Sequence, residues 1–129
     1  MNMLLVNISA YNYNMSMSYD SRPIGVFDSG LGGLTVVKAL RQTMPNEKII
    51  YFGDTARVPY GNKSPKTIRK FSEEITEFLI KQDVKFIVVA CNTASSLALP
   101  FLKRKFNIPI SGVIVPGVEE AIVSTKNNR

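Results

Sequence analysis

Histidine is absent from this chain of 129 residues, and cysteine occurs once, as Cys91. Without histidine there is no imidazole-based zinc site and no catalytic triad of the Ser-His type. A single cysteine excludes an internal disulfide and a cysteine-rich metal centre. Long apolar runs are also missing, since none nears the roughly 20 residues that cross a bilayer. No membrane segment is expected. The first residues lack a basic start and a small-residue cleavage site, so no secretory signal is expected either. Glycosylation patterns at Asn7, Asn14 and Asn62 carry no meaning without such a signal. A reducing, cytoplasmic compartment fits this cysteine usage best.

What is present suffices for one small domain. The chain is 45% hydrophobic and 20% charged, with 16 Lys and Arg against 10 Asp and Glu, a formal charge of +6. The basic residues lie scattered among acids and apolar positions, with no stripe interleaved with aromatics. A nucleic-acid partner is therefore not expected, and Lys103-Arg104-Lys105 reads as a solvated helix face.

Residues 1–21, rich in Asn, Ser, Tyr and Met, read as a poorly ordered N-terminal extension, and residues 22–129 as one α/β domain. A strand is predicted over Pro23–Phe27 and a helix over Leu34–Met44, with Leu34, Val36, Val37, Leu40 and Met44 in helical period. A second strand follows over Lys48–Gly53. The helix over Lys66–Gln82 carries one apolar stripe of Ile68, Phe71, Ile75, Phe78 and Leu79. The run Phe86–Ala90 is continuous, apolar and rich in β-branched residues, as in a strand buried on both faces. An apolar helix is predicted beyond it, to Phe106, with Pro100 in its early part. A fourth strand over Pro109–Val115 and a last helix from near Val118 complete the chain. This alternation implies an open parallel sheet with helices on both faces.

Cys91 sits where the buried third strand hands over to a helix start. Asn92, Thr93, Ser95 and Ser96, which follow it, are residue types that cap helices. Ligands of open α/β sheets bind at the carboxyl ends of strands, and a helix start favours anions, a thiolate included. A lone cysteine is more often a small buried hydrophobe. Its position argues for chemistry.

Parallel strands end on one edge, so three loops are expected together: Asp28-Ser-Gly, Asp54 through Gly61, and Cys91-Asn-Thr93. They offer a thiol, two carboxylates, a tyrosine, hydroxyls and amides. Asp28-Ser-Gly-Leu-Gly-Gly33 matches neither G-x-G-x-x-G nor the P-loop. Its glycines read as a tight turn needing positive φ, which leaves Asp28 as an acid at the mouth of a site, able to hold an ammonium or orient a proton transfer. Tyr60 and the Gly61 backbone are either a plain turn or a pocket wall that donates to a carboxylate.

Asp28-Ser-Gly-Leu-Gly-Gly33, Gly53-Asp54 with Pro59-Tyr-Gly61, and Ala90-Cys-Asn-Thr-Ala-Ser95 together resemble the bacterial glutamate racemases, over about residues 23–129. The resemblance implies one half of a two-domain racemase fold, with the active site between two similar α/β halves. Each half supplies a cysteine. Cys91 matches the first, and the second belongs to a Cys-Thr-His motif that this chain does not contain. The sequence therefore looks like an N-terminal half, and the chain by itself is expected to be inactive. By the resemblance, Cys91 is one of two catalytic thiols and Asp28 assists its proton transfer. Asp28 and Ser29 contact the substrate, and Tyr60, Gly61, Asn92 and Thr93 bind its carboxylates. The family uses no cofactor and no metal, interconverts L- and D-glutamate, and supplies D-glutamate for peptidoglycan. The implied partners are glutamate and the missing C-terminal half, with homo-oligomerisation open because a half-domain exposes its docking face.

Three other readings stand beside this one. Aspartate racemases share the scheme. A non-catalytic module could bind a small dicarboxylate or phosphate at the same loops. A regulatory protein could use the basic surface.

Overall fold

The computed structural model of the chain describes residues 20–113. The expected extension up to residue 19, the end of the fourth strand beyond Val113 and the helix from near Val118 lie outside the described residues. Four strands form one sheet: β1 (Ile24–Asp28), β2 (Ile49–Gly53), β3 (Phe86–Val89) and β4 (Ile110–Gly112). Every pairing is parallel, in the order β2-β1-β3-β4. The chain steps sideways from β1 to β2, then crosses back over β1 to β3. The strand order therefore reverses between β1 and β3, which makes that junction the switch point of the sheet.

Helices cover both faces, as the alternation predicted. Helix α1 (Leu34–Thr43) lies on one of them. Its Val36, Val37 and Leu40 pack with Ile24, Val26, Phe86 and Val88. The opposite face carries α2 (Pro65–Lys81), α3 (Asn92–Leu97) and α4 (Leu99–Lys105). There Ile68, Ile75, Leu79 and Leu102 meet Phe27, Ile87, Val89 and Ile110. Side chains alternate across a strand, so Val26 and Phe27 feed different layers. Gly25 leaves room for α2: a Cβ there would lie 3.1 Å from Leu79 Cδ1.

Local chemistry explains most helix ends. Ser64 caps α2 by accepting from the Thr67 N–H, and Pro65 occupies the first turn, where its missing N–H costs nothing. The expected α2 stripe holds for Ile68, Ile75 and Leu79, whereas Phe78 is exposed and packs its ring on Phe52. The single helix expected between Cys91 and Phe106 is two helices. Ala98, with φ −116° and ψ −25°, ends one helix and caps the next, and Pro100 stands in the first turn of α4. Proline removes an N–H and clashes with the carbonyl four residues earlier, so it restarts a helix more readily than it continues one. Lys103, Arg104 and Lys105 are exposed in the last turn of α4, as expected of a solvated face.

Candidate active site

The carboxyl ends of β1 and β3 open into a cleft of about 540 Å³ at the switch point. Asp28, Ser29, Gly30 and Leu31 form one wall, and Cys91, Asn92 and Thr93 the other, with Thr35 and Val113 also in the lining. Register brings the two walls together. Phe27 pairs with Val89, and the Ala90 N–H donates to the Phe27 carbonyl, so Asp28 and Cys91 leave neighbouring strands side by side. Both are buried, at 6% and 5% exposure, while their edges line the cleft.

Cys91 is itself the N-cap of α3. Its Sγ accepts the Ala94 N–H at 3.5 Å. Asn92 and Thr93, expected as capping residues, are the first residues of the helix proper. Their N–H groups have no intrahelical partner by position, and they stand at the cleft wall. Asp28 is anchored by the Gly33 N–H, which donates to Oδ2 at 2.8 Å, and Ser29 Oγ reaches Oδ1 at 3.5 Å. Ser95 joins two strand ends: its Oγ donates to the Val89 carbonyl at 3.0 Å and accepts the Val113 N–H at 3.3 Å.

The loop glycines act differently from the sequence expectation. Among the described residues no glycine has positive φ. Gly33 has φ −65° and is needed for space, since a Cβ would lie 2.7 Å from Asp28 Cβ. At Gly53 a Cβ would stand 2.5 Å from the Gly30 carbonyl oxygen. That same oxygen accepts a 2.7 Å hydrogen bond from the Tyr51 hydroxyl, which ties the Asp28 loop to edge strand β2. Tyr51's proton is held more tightly than usual, through burial and the nearby Asp28 charge.

The middle loop does not enter the cleft lining. Tyr60 is buried at 2% exposure, and its hydroxyl donates to Asp54 Oδ2. Burial, then the Asp54 hydrogen bond and charge, push its pKa well above the usual value. Arg57 Nε also donates to Asp54 Oδ2, at 2.7 Å, while Nη1 reaches Glu74 at 2.5 Å. The guanidinium lies 4.0 Å from the centre of the Phe71 ring, on which Tyr60 also packs. Gly61 is exposed, with open space where a Cβ would be.

The structure thus gathers Asp28, Ser29, Cys91, Asn92 and Thr93, and leaves the Tyr60 hydroxyl and Gly61 outside. Sequence reasoning missed Thr35, Val113, Tyr51 and the Arg57–Glu74 link. Val113 was within reach of the strand-end rule. The others depend on contacts between distant segments. Among the described residues, no three His, Cys, Asp or Glu side chains gather as metal ligands, and no helix is long and apolar enough to cross a membrane.

Comparison with known proteins gives a consistent answer. No family model matches the chain. A glutamate racemase of Chlorobaculum tepidum is 57% identical over 114 residues, which is 88% of this chain and 42% of that protein. The glutamate racemase structure from Aquifex pyrophilus superposes with TM-score 0.75 at 56% identity, covering 77% of this chain and 39% of that one. The Francisella tularensis glutamate racemase, solved in complex with D-glutamate, gives TM-score 0.74 at 55% identity, covering 78% and 39%. The chain spans about two fifths of the length of the curated relatives it matches. Over that stretch it is a homologue of the glutamate racemases, with their α/β fold.

Proposed function

We propose that this chain supplies the Cys91-bearing half of a cofactor-independent glutamate racemase, in which a thiol moves a proton at the substrate Cα. The observation that carries this reading is the meeting of Asp28 and Cys91 at the β1/β3 switch point, in one cleft. As thiolate, Cys91 takes the α-proton from one face. Asp28, held by Gly33, orients that proton transfer and draws the substrate ammonium. Ser29 adds a contact to the substrate. The charge that develops spreads onto the α-carboxylate, where fixed donors at Asn92 and Thr93 stabilise it most when it is largest. The Tyr60 hydroxyl is engaged with Asp54, and neither it nor Gly61 lines the cleft, so the carboxylate donors of this half are those at Asn92 and Thr93.

Inversion needs an acid on the opposite face, because a single base returns the proton to the side it left. One copy of the chain holds one thiol, so one copy alone does not interconvert the enantiomers. The product in this reading, D-glutamate, feeds peptidoglycan synthesis, in a cytoplasmic setting that keeps Cys91 reduced.

Alkylation of Cys91 tests the substrate assignment. D-Glutamate is expected to slow modification by iodoacetamide in the intact chain, and Asp28→Asn is expected to weaken that protection. Equal alkylation rates with and without glutamate, in the unaltered chain, would sink the reading.

A further inference from the structure

We propose that Tyr51 is a positioning residue of the racemase site: by holding the Gly30 carbonyl, its hydroxyl sets the Asp28 carboxylate against the Cys91 strand end. The inference deepens the racemase reading above and rests on it. That reading asks Asp28 to meet the substrate and the thiol at hydrogen-bond distance, and a small misplacement of such a group costs much of its effect. The Gly33 N–H anchors Asp28 Oδ2 from within the same loop, so the loop itself needs a hold from outside. Of the carbonyls from Gly30 to Gly33, those of Leu31, Gly32 and Gly33 accept N–H groups from the first turn of α1. The Gly30 carbonyl is held from another strand, by the Tyr51 hydroxyl at 2.7 Å.

Strand register explains why the hold comes from Tyr51. Val26 pairs with Tyr51, and Asp28 with Gly53 two residues on. Val26 also pairs with Val88, two residues before Ala90. Tyr51 and Ala90 pack with Val26 and Val88 on the face that α1 covers. Side chains alternate along a strand, so Asp28, Gly53 and Ala90 end three neighbouring strands on that same face. Gly53 has no side chain, and the Tyr51 ring fills the gap: a Cβ on Gly53 would lie 3.2 Å from Tyr51 Cε1 and 3.4 Å from its hydroxyl oxygen. The ring thereby reaches past the strand end to Gly30. Its other edge meets the anchor of Asp28. A Cβ on Gly33 would stand 2.7 Å from Asp28 Cβ, 3.1 Å from Ala90 Cβ and 3.2 Å from Tyr51 Cε2. Three strand ends thus converge on Gly33, and Ala90 is the residue before Cys91. Tyr51 is half-buried, and burial together with the Asp28 charge holds its proton more tightly than usual. The hydroxyl stays a donor through and beyond neutral pH, as a fixed brace requires.

Tyr51→Phe in the intact chain tests this, because it keeps the ring and removes the hold. Hydrogen exchange read by NMR is expected to speed up at the Gly33 amide, the donor to Asp28, about tenfold more than at Val88 in the middle of the sheet. The glutamate concentration that half-protects Cys91 from iodoacetamide is expected to rise about tenfold. Ile75→Val, in the core of the opposite face, is the comparison. It loosens packing, yet the Gly33-to-Val88 exchange ratio and the half-protecting concentration are expected to stay as they were. Gly53→Ala pushes the same Gly30 oxygen away from the hydroxyl and carries the test if Tyr51→Phe does not fold. Gly33 exchange that is unchanged, or that rises only in step with Val88, would overturn the proposal. So would full glutamate protection in a variant whose Gly33 exchange has risen. The two readings fail separately. Faster exchange at Gly33 in a chain that glutamate never protects removes the substrate assignment and leaves the positioning of Asp28.

Discussion

The Tyr60 hydroxyl donates to the Asp54 carboxylate, and both residues are buried. The tyrosine therefore acts as a brace for the turn after β2. Arg57 completes the brace from the other side of the same oxygen. Tyr60→Phe keeps the ring packing on Phe71 and removes one partner of a buried carboxylate. The expected cost is about 1–3 kcal/mol, because a buried acceptor loses a bond that water does not replace. Urea denaturation midpoints check this. No change would mean that Arg57 alone satisfies Asp54.

The same contact sets a pH dependence. Burial, then the Asp54 bond and charge, raise the Tyr60 pKa above its unfolded value of about 10. Below that value the contribution is fully present, because the phenol is protonated in both states. Above it the unfolded chain loses the proton first, and stability falls as pH rises. Tyr51 shifts in the same direction and adds to the slope. Stability measured from neutral pH to beyond pH 10 is expected to decline more steeply in the unaltered chain than in Tyr60→Phe.

Two serines make opposite predictions. Ser95 Oγ bonds both the Val89 carbonyl and the Val113 N–H at the cleft's edge. Ser95→Ala is expected to cost about 1–3 kcal/mol, since it removes the partner of a buried carbonyl and of a half-buried N–H. Ser72 is fully buried on α2, and its Oγ has no partner among the described residues. Ser72→Ala removes an unpaired hydroxyl, so stability is expected to stay level or rise. Thermal unfolding of the pair decides the point, and equal losses would contradict it.

Glycine tolerance separates the loops. Gly53→Ala places a methyl 2.5 Å from the Gly30 carbonyl oxygen. Backbone must then move, at a cost of about 1–3 kcal/mol. The Asp28 loop moves with it, so glutamate protection of Cys91 is expected to weaken as well. At Gly61 nothing lies within 4 Å of a Cβ, and alanine there is expected to change stability by about 0.5 kcal/mol or less.

Much of the fold was legible because periodicity reports burial. The β-branched run at Phe86–Val89 is buried at every residue, and Ile68, Ile75 and Leu79 face the core as their spacing required. Phe78 broke the stripe because Phe52 gives it a surface partner, a contact between segments that spacing does not encode. The break at Ala98 was visible in Pro100, whose missing N–H forces a restart. Within the site, Asp28 and Cys91 could be paired from the parallel-strand rule, which places all carboxyl ends on one edge.

The order of secondary elements, the parallel sheet and the strand-end address of Asp28, Cys91, Asn92 and Thr93 were determined by sequence alone. Each follows from local patterns: apolar period, capping types and the one-sided geometry of parallel strands. The tertiary structure decided the rest. It turned the Tyr60 hydroxyl onto Asp54 and made Cys91 the N-cap of its own helix. It used Gly33 for close approach, where the sequence suggested positive φ, and gave Gly53 the same use. It also left Leu31, Leu34 and Val58 exposed at one edge. These outcomes depend on which distant segments touch, and a residue's neighbours in sequence do not record that.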